Sequence, residues 1–214
     1  MNKSLLIIGA GTGLSRAVAE RFAAEGFTIS LISRNAANLE KVKAGLGAQG
    51  ITVSHATADA GNALQLEEAI EALAAREGGF DAVLYNAAVV KAVDIMDEDP
   101  ALLVSEFTVN VASALTSLQA TYESLKQKQG AFLLTGGGLG VNPAASYGSL
   151  SIGKAGVRSL AYQLHERLKN EGIYVGLLTV AGFINPESET HSPALLASLF
   201  WKMYAERSET EIHQ

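Results

Sequence analysis

Short apolar runs and amphipathic stretches alternate along the whole chain. The apolar runs are Ser4–Ile8, Thr28–Ile32, Ile51–Ala56, Ala82–Tyr85, Ala131–Thr135 and Tyr174–Val180. Brief, nearly unbroken runs of this kind fit strands covered on both faces, as in a parallel sheet. Between them the apolar positions recur with helical spacing. Ser15–Glu25 ends at Gly26, a helix stop signal. Ala37–Gly45 and Ala63–Arg76 follow the same logic, and Leu66, Ala69, Ile70 and Leu73 share one face of the second. Two longer helices are predicted. One runs from about Pro100 to Lys126, with the proline in its first turn. The other runs from about Ser149 to Asn170, with Val157, Leu160, Ala161, Leu164 and Leu168 along one side. Beyond Gly182 the pattern leaves one helix, Ala194–Ala205, and a strand stub near Glu211–His213.

This alternation predicts an α/β fold: a single doubly wound, Rossmann-type parallel sheet with helices on both faces. No linker breaks it, so residues 1–214 are expected to form one domain. Apolar residues make up 48% of the chain and charged residues 18%, which suits a packed globular core. A net charge of −6 with no Lys/Arg run gives no reason to expect a nucleic-acid partner. The absence of cysteine rules out disulfides, thiolate catalysis and iron–sulfur ligation. His55, His165, His191 and His213 lie far apart without metal-ligand spacing, so no metal site is expected. No apolar stretch approaches the length of a membrane span, and the first strand begins almost at Met1. A cytoplasmic protein with no membrane partner is therefore the expectation.

The most informative segment is Ile7-Ile8-Gly9-Ala10-Gly11-Thr12-Gly13-Leu14-Ser15-Arg16, which reads as strand, tight turn and helix. Such a turn aims backbone N–H groups and a helix N-terminus at an anion. Glycines let a phosphate approach the backbone and supply positive φ. The spacing of Gly9, Gly13 and Ser15 resembles that of the short-chain dehydrogenase/reductase family. A dinucleotide cradled by Gly9, Gly11, Thr12, Gly13 and Leu14 is therefore expected. The end of the second strand bears on which one. An acidic residue there accepts from a ribose 2′-OH, but this chain has Ser33-Arg34-Asn35, a set suited to a 2′-phosphate. NADP(H) is favoured over NAD(H). Asp59-Ala60 and Asn86-Ala87-Ala88 follow the third and fourth strands, where open α/β sheets bind ligands. They resemble the family's adenine-contacting Asp and its Asn-Ala-Gly segment, with Ala88 in place of Gly.

The resemblance continues through Asn110, where the family keeps a helix-bending Asn, and Lys154, which in the family holds the nicotinamide ribose. It implies a Tyr four residues before Lys154 as proton donor, and a Ser thirteen before that Tyr. Those positions are Leu150 and Gly137, so this looks like a divergent member without the usual Ser and Tyr. Tyr147 lies nearby, seven residues before Lys154. On a continuous helix the two are about 10.5 Å apart along the axis, against about 6 Å for a spacing of four. If the helix starts only after Tyr147, its phenol can fold back as a displaced proton donor. A capping aromatic or a pocket wall is the other reading. Ser149 and Ser151 are expected to cap the helix start. The N–H groups of Gly136–Gly138 and Gly140 offer replacement donors to an oxyanion.

Val180-Ala181-Gly182-Phe183-Ile184 resembles the family's segment beside the nicotinamide amide, which brings in Gly182 and Ile184 as cofactor contacts. The substrate loop is cut down to Asn185–Pro193, a shortened C-terminal substrate lobe. His191 in that loop reads as a solvated side chain. The family's activity implies a small carbonyl or alcohol substrate and a homodimer or homotetramer joined through the two long helices. A catalytically degenerate sensor or scaffold that binds NADP(H) is the alternative.

Overall fold

The structure, a computed structural model, describes residues 3–214. Seven parallel strands form one sheet: β1 (Ser4–Ile8), β2 (Thr28–Ser33), β3 (Val53–Thr57), β4 (Ala82–Tyr85), β5 (Ala131–Thr135), β6 (Tyr174–Thr179) and β7 (Glu211–His213). Their order is β3-β2-β1-β4-β5-β6-β7. β1 is central, with Leu5 opposite Ile29 on one side and Ala82 on the other. Its side chains alternate between two cores, as the pleat requires. Leu5 and Ile7 join one with α1 (Leu14–Ala23), α2 (Ala36–Gly47) and α7 (Pro193–Glu206). Leu6 and Ile8 join the other with α3 (Ala63–Glu77), α5 (Ser113–Lys128) and α6 (Gly148–Leu168). The doubly wound expectation therefore holds.

Local chemistry sets the helix ends. Asn35, Asn62 and Ser192 each accept an N–H from the first turn that they precede. Asp99 does the same for α4 (Pro100–Phe107), whose proline occupies the first helical position. Gly26 and Gly78 follow α1 and α3 with φ of 85° and 71°, values that suit glycine. On the α1 side, Phe22, Phe27, Trp201 and Tyr204 pack edge to face or tilted, which docks α7 on the core.

Three sequence expectations need correction. The third strand begins at Val53 rather than Ile51, because the Ile51 amide still closes the turn after α2 on the Leu46 carbonyl. The helix expected over Pro100–Lys126 is broken by a π turn at Thr108–Ala112. Hydrogen bonds from outside the helix accompany the break: Tyr85 donates to the Val109 carbonyl, and Asn110 accepts from the Val89 amide. Finally, Pro100–Lys128 is a helical run of 29 residues whose most apolar window has a mean hydropathy of 1.4, enough by length and composition to cross a membrane. The sequence shows no unbroken apolar block there because Ala, Ser and Thr are interspersed with its Leu and Val residues. In the fold, its Ala114, Leu118 and Leu125 pack into the core beneath the sheet.

Candidate functional site

The chain winds in opposite directions from β1 and β4, so a crevice opens beyond their carboxyl ends. Gly9 closes β1 with φ 86°, and a Cβ there would lie 2.4 Å from the Ala87 nitrogen. Glycine is thus required for the two strand ends to meet. Asn86 locks the junction. Its Nδ2 donates to the Gly9 carbonyl (3.2 Å) and to Ser15 Oγ (2.9 Å), and its Oδ1 accepts from Thr135 (2.9 Å). Ser15 Oγ in turn donates to the Gly9 carbonyl at 2.9 Å. Asn86, read from sequence as a cofactor contact, is therefore also the cross-tie of three strand ends.

Gly11 and Gly13 differ from Gly9. Neither has positive φ, and a Cβ on either would meet nothing within 4 Å. No protein atom demands glycine there, so the room they leave faces outward. Gly13 precedes α1, whose first turn has neither a side-chain cap nor an acidic residue. The N–H groups of that turn are thus available to an anion. Ser33 and Arg34 at the end of β2, with Asp59 and Ala60 after β3, line a cleft of about 290 Å³ beside Gly9. Arg34 is exposed at its rim. Asn35 is not part of this lining; its side chain caps α2 by accepting the Asn38 amide. Asp59 Oδ1 accepts from the Gly61 amide, which shapes the turn after β3.

A second cleft, of about 700 Å³, continues from the first through Asn86 and Ala88. Its wall is mainly apolar: Leu14, Val90, Leu139, Leu150, Phe183 and Ile184 all contribute. Lys154 and Tyr147 are its ionisable side chains. Lys154 Nζ donates to the Thr135 carbonyl at 2.9 Å, and burial pulls its pKa down to about 8. Helix α6 begins at Gly148, so Tyr147 ends the preceding turn (Ala145–Tyr147) instead of lying on the helix. That is the arrangement under which the phenol can face the cleft. Asn110 lies in the π turn, 5% exposed, and its Nδ2 is buried without a partner. A Cβ on Gly153 would lie 2.7 Å from that Nδ2, so the glycine is what admits Asn110 against α6.

The glycine loop after β5 behaves differently from its expected role. The amides of Gly136 and Gly138 donate to the Leu178 and Val180 carbonyls, and that of Gly140 to Gly137. These three N–H groups are committed to the fold and are not free oxyanion donors. Packing explains the glycines. A Cβ at Gly140 would lie 2.5 Å from the Lys154 carbonyl oxygen, and one at Gly137 3.3 Å from the Lys154 stem. The serine caps fail too. Ser151 bonds back to Ala144, and Ser149 Oγ is buried without a partner. The Ser149 amide is held instead by Glu98, at 3.2 Å.

Gly182 and Ile184 border the second cleft, with His191 packed beside Gly182. The His191 ring is half-buried and contacts the Gln214 carbonyl at 3.1 Å, so it is not the solvated side chain expected. Sequence reading missed Val90, Leu139 and Asn142 in the cleft wall. Val90 and Asn142 lie outside helices and strands and Leu139 in the short 3-10 turn Gly138–Gly140, and only the fold brings them together.

Known proteins agree with this architecture. The chain is 29% identical over 185 residues to the cis-2,3-dihydrobiphenyl-2,3-diol dehydrogenase of Pseudomonas sp. (strain KKS102), matching 82% of this chain and 66% of that enzyme. It is also 29% identical to the cis-1,2-dihydrobenzene-1,2-diol dehydrogenase of Pseudomonas putida, over 80% of this chain and 64% of that one. The chain thus spans about two thirds of the length of these relatives. An alcohol dehydrogenase from Thermococcus sibiricus, solved with 5-hydroxy-NADP, shares the fold with a TM-score of 0.84 at 20% identity, covering 99% of this chain and 95% of that one. A metagenomic short-chain oxidoreductase in complex with NADP gives 0.88 at 19% identity, with the same coverage. The sequence profile of the short chain dehydrogenase family matches residues 3–192, from the first strand to the loop before α7, and the chain belongs to that family.

Proposed function

We propose that this protein is an NADP(H)-dependent oxidoreductase acting on an uncharged carbonyl/alcohol pair, with Tyr147 as proton donor. The continuity of the Arg34 cleft with the Lys154 cleft through Asn86 and Ala88 carries this reading. It gives one groove, with a cation at one end and a phenol and amine at the other. Gly9, Gly11, Thr12, Gly13 and Leu14 would hold the diphosphate, and Ser33 and Arg34 the 2′-phosphate. Asp59, Ala60, Ala87 and Ala88 would flank the adenosine, with Lys154, Gly182 and Ile184 at the nicotinamide end. Bound there, the cofactor supplies or accepts a hydride.

The chain's own residues manage the proton and the fit. Tyr147 donates to the carbonyl oxygen. The Lys154 ammonium nearby favours the phenolate that is left. Asn110 braces α6 behind Lys154. Leu150 and Gly137 stand where the family resemblance puts Tyr and Ser, so the proton comes from the turn before α6. The apolar wall, with Lys154 as its one cation, offers an anionic substrate no second counter-charge and suits an uncharged one. A homo-oligomer belongs to the same reading, since α4 and α6 expose Leu102, Val104, Phe107, Ile152 and Tyr162.

Paired titrations with NADPH and NADH, followed by nicotinamide fluorescence, test the cofactor half. Tight NADPH and weak NADH binding is expected, with Arg34→Ala weakening NADPH about 10- to 100-fold. Turnover of acetophenone, benzil and diacetyl tests the other half, and Tyr147→Phe should cut it by about 10²- to 10⁴-fold. NADPH binding without turnover of any carbonyl would favour the sensor or scaffold reading. Binding of neither cofactor would overturn both.

A further inference from the structure

We infer that Glu98, held by Lys91, is the positioning residue that fixes Tyr147 in the cleft. The inference rests on the reading of Tyr147 as the proton donor. Tyr147 precedes a helix whose start no side chain of its own turn caps. The turn is held from outside, by the segment that follows β4. The Gly148 amide donates to the Val93 carbonyl at 3.0 Å, and the Ile95 amide to the Ala145 carbonyl at 2.9 Å. A Cβ on Gly148 would lie 2.9 Å from the Ile95 Cα, so the two backbones are in direct contact. Glu98 completes the grip: its Oε1 accepts the Ser149 amide at 3.2 Å.

Glu98 is fixed in turn. Its other oxygen meets Lys91 Nζ at 2.8 Å, and its side chain is 3% exposed. Lys91 also meets Glu106 of α4 at 2.8 Å. One ammonium thus ties the post-β4 segment and α4 to the carboxylate that holds α6. Glu106 and Glu98 together keep the Lys91 ammonium above its ordinary range, and Lys91 holds the Glu98 carboxyl down. Lys91 and Glu98 therefore stay charged at neutral pH.

The cluster is a poor device for stability alone. Glu106 Oε2 is buried without a partner, a cost that an apolar contact would avoid. What the cluster provides is a fixed distance between two walls of one site. Ala88 and Val90, on the same segment as Lys91, line the same cleft as Tyr147. A carboxylate at a helix start is favourable in itself, but it fixes the turn only while its own position is set.

The test uses Glu98→Gln and Lys91→Met in the full chain, alone and combined with Tyr147→Phe. Turnover is read with the same carbonyl panel. Each single variant should lower kcat about 10- to 100-fold, while the NADPH Kd and the substrate KM stay within about twofold. In the Tyr147→Phe background the same changes should cost less than about twofold, because there is no phenol left to position. Lys91→Arg should restore most of the turnover that Lys91→Met loses. An undiminished cost in the Tyr147→Phe background would overturn the inference, as would unchanged kcat in both single variants. So would a parallel loss of NADPH affinity, which marks general loosening. If Glu98→Gln does not fold, by circular dichroism, Lys91→Met and its arginine counterpart carry the test. If Tyr147→Phe turns over normally, the proton-donor reading fails and this inference falls with it. A Tyr147→Phe loss beside normal Glu98→Gln and Lys91→Met turnover leaves that reading standing and overturns the clamp alone.

Discussion

Gly9 and Gly11 lie two residues apart and are glycines for different reasons. Gly9→Ala puts a methyl 2.4 Å from the Ala87 nitrogen at φ 86°, so the strand ends must separate. We expect a loss of about 2–5 kcal/mol in chemical denaturation. Gly11→Ala meets no protein atom, so its melting temperature should stay within about 2 °C of the parent, since nothing in the core changes. Its NADPH affinity should fall at least tenfold if a diphosphate lies against that turn. Normal NADPH affinity in Gly11→Ala would remove the turn from the binding site. Lys154 gives a pH signature of two opposite signs. Burial lowers its pKa from 10.5 to about 8. Below 8 the folded protein carries a buried charge, and that penalty is relieved as pH rises from about 8 toward 10.5. Stability should therefore climb across that window, while turnover that needs the ammonium falls through about pH 8. Lys154→Met should abolish both slopes. A parent profile of kcat/KM that stays flat to pH 9.5 would show that the ammonium has no part in the reaction.

At the scale of elements, the chain was legible wherever a local rule decides the outcome. Strands β1, β4 and β5 fall where the apolar runs lie, because a strand buried on both faces tolerates little else. The helix stop at Gly26 and the proline in the first turn of α4 follow from backbone chemistry that one or two residues settle. Helical periodicity ran straight through the π turn at Thr108–Ala112, where only the resemblance at Asn110 signalled a bend, since the Tyr85 and Val89 bonds beside it come from other elements. The start of α6 was misread for the same reason. Ser149 and Ser151 have the right chemistry for caps, but a carboxylate from 51 residues away takes the amide. In the candidate site, Gly9, Arg34, Asn86 and Lys154 were visible from motif and spacing, whereas the Lys91–Glu98–Glu106 group exists only once α4 and α6 are packed together. The terminal helix offers a direct check on packing. Phe200 on α7 is fully buried in the core that includes Phe22. Phe200→Ala should cost about 3–5 kcal/mol in urea denaturation, with no change in the pH dependence of turnover. A cost below about 1 kcal/mol would mean that α7 is not docked as described.

For the whole molecule, the question is what the outward side of α4 and α6 faces. Single exposed apolar residues are ordinary, but a connected group at one place marks an interface. Here Leu102 and Val104 on α4 are 52% and 64% exposed, and Ile152 and Tyr162 on α6 are 40% and 44% exposed. The two helices touch, and Phe107 at the end of α4 reaches Gly156 on α6, which joins the exposed side of one helix to that of the other. The net charge of −6 opposes nonspecific association, which makes a defined partner surface the better account. A second copy of the chain can meet the same surface across a two-fold axis without leaving an open end. Sedimentation of the parent protein should then give a multiple of 22.4 kDa. Leu102→Glu with Val104→Glu should return it to 22.4 kDa, since both side chains are exposed in the single chain and their replacement costs the fold little. NADPH binding should survive that change, because both clefts open at the carboxyl ends of the strands and neither is lined by Leu102 or Val104. A parent that sediments as a single chain would show that these residues face solvent and that the site works without a partner subunit.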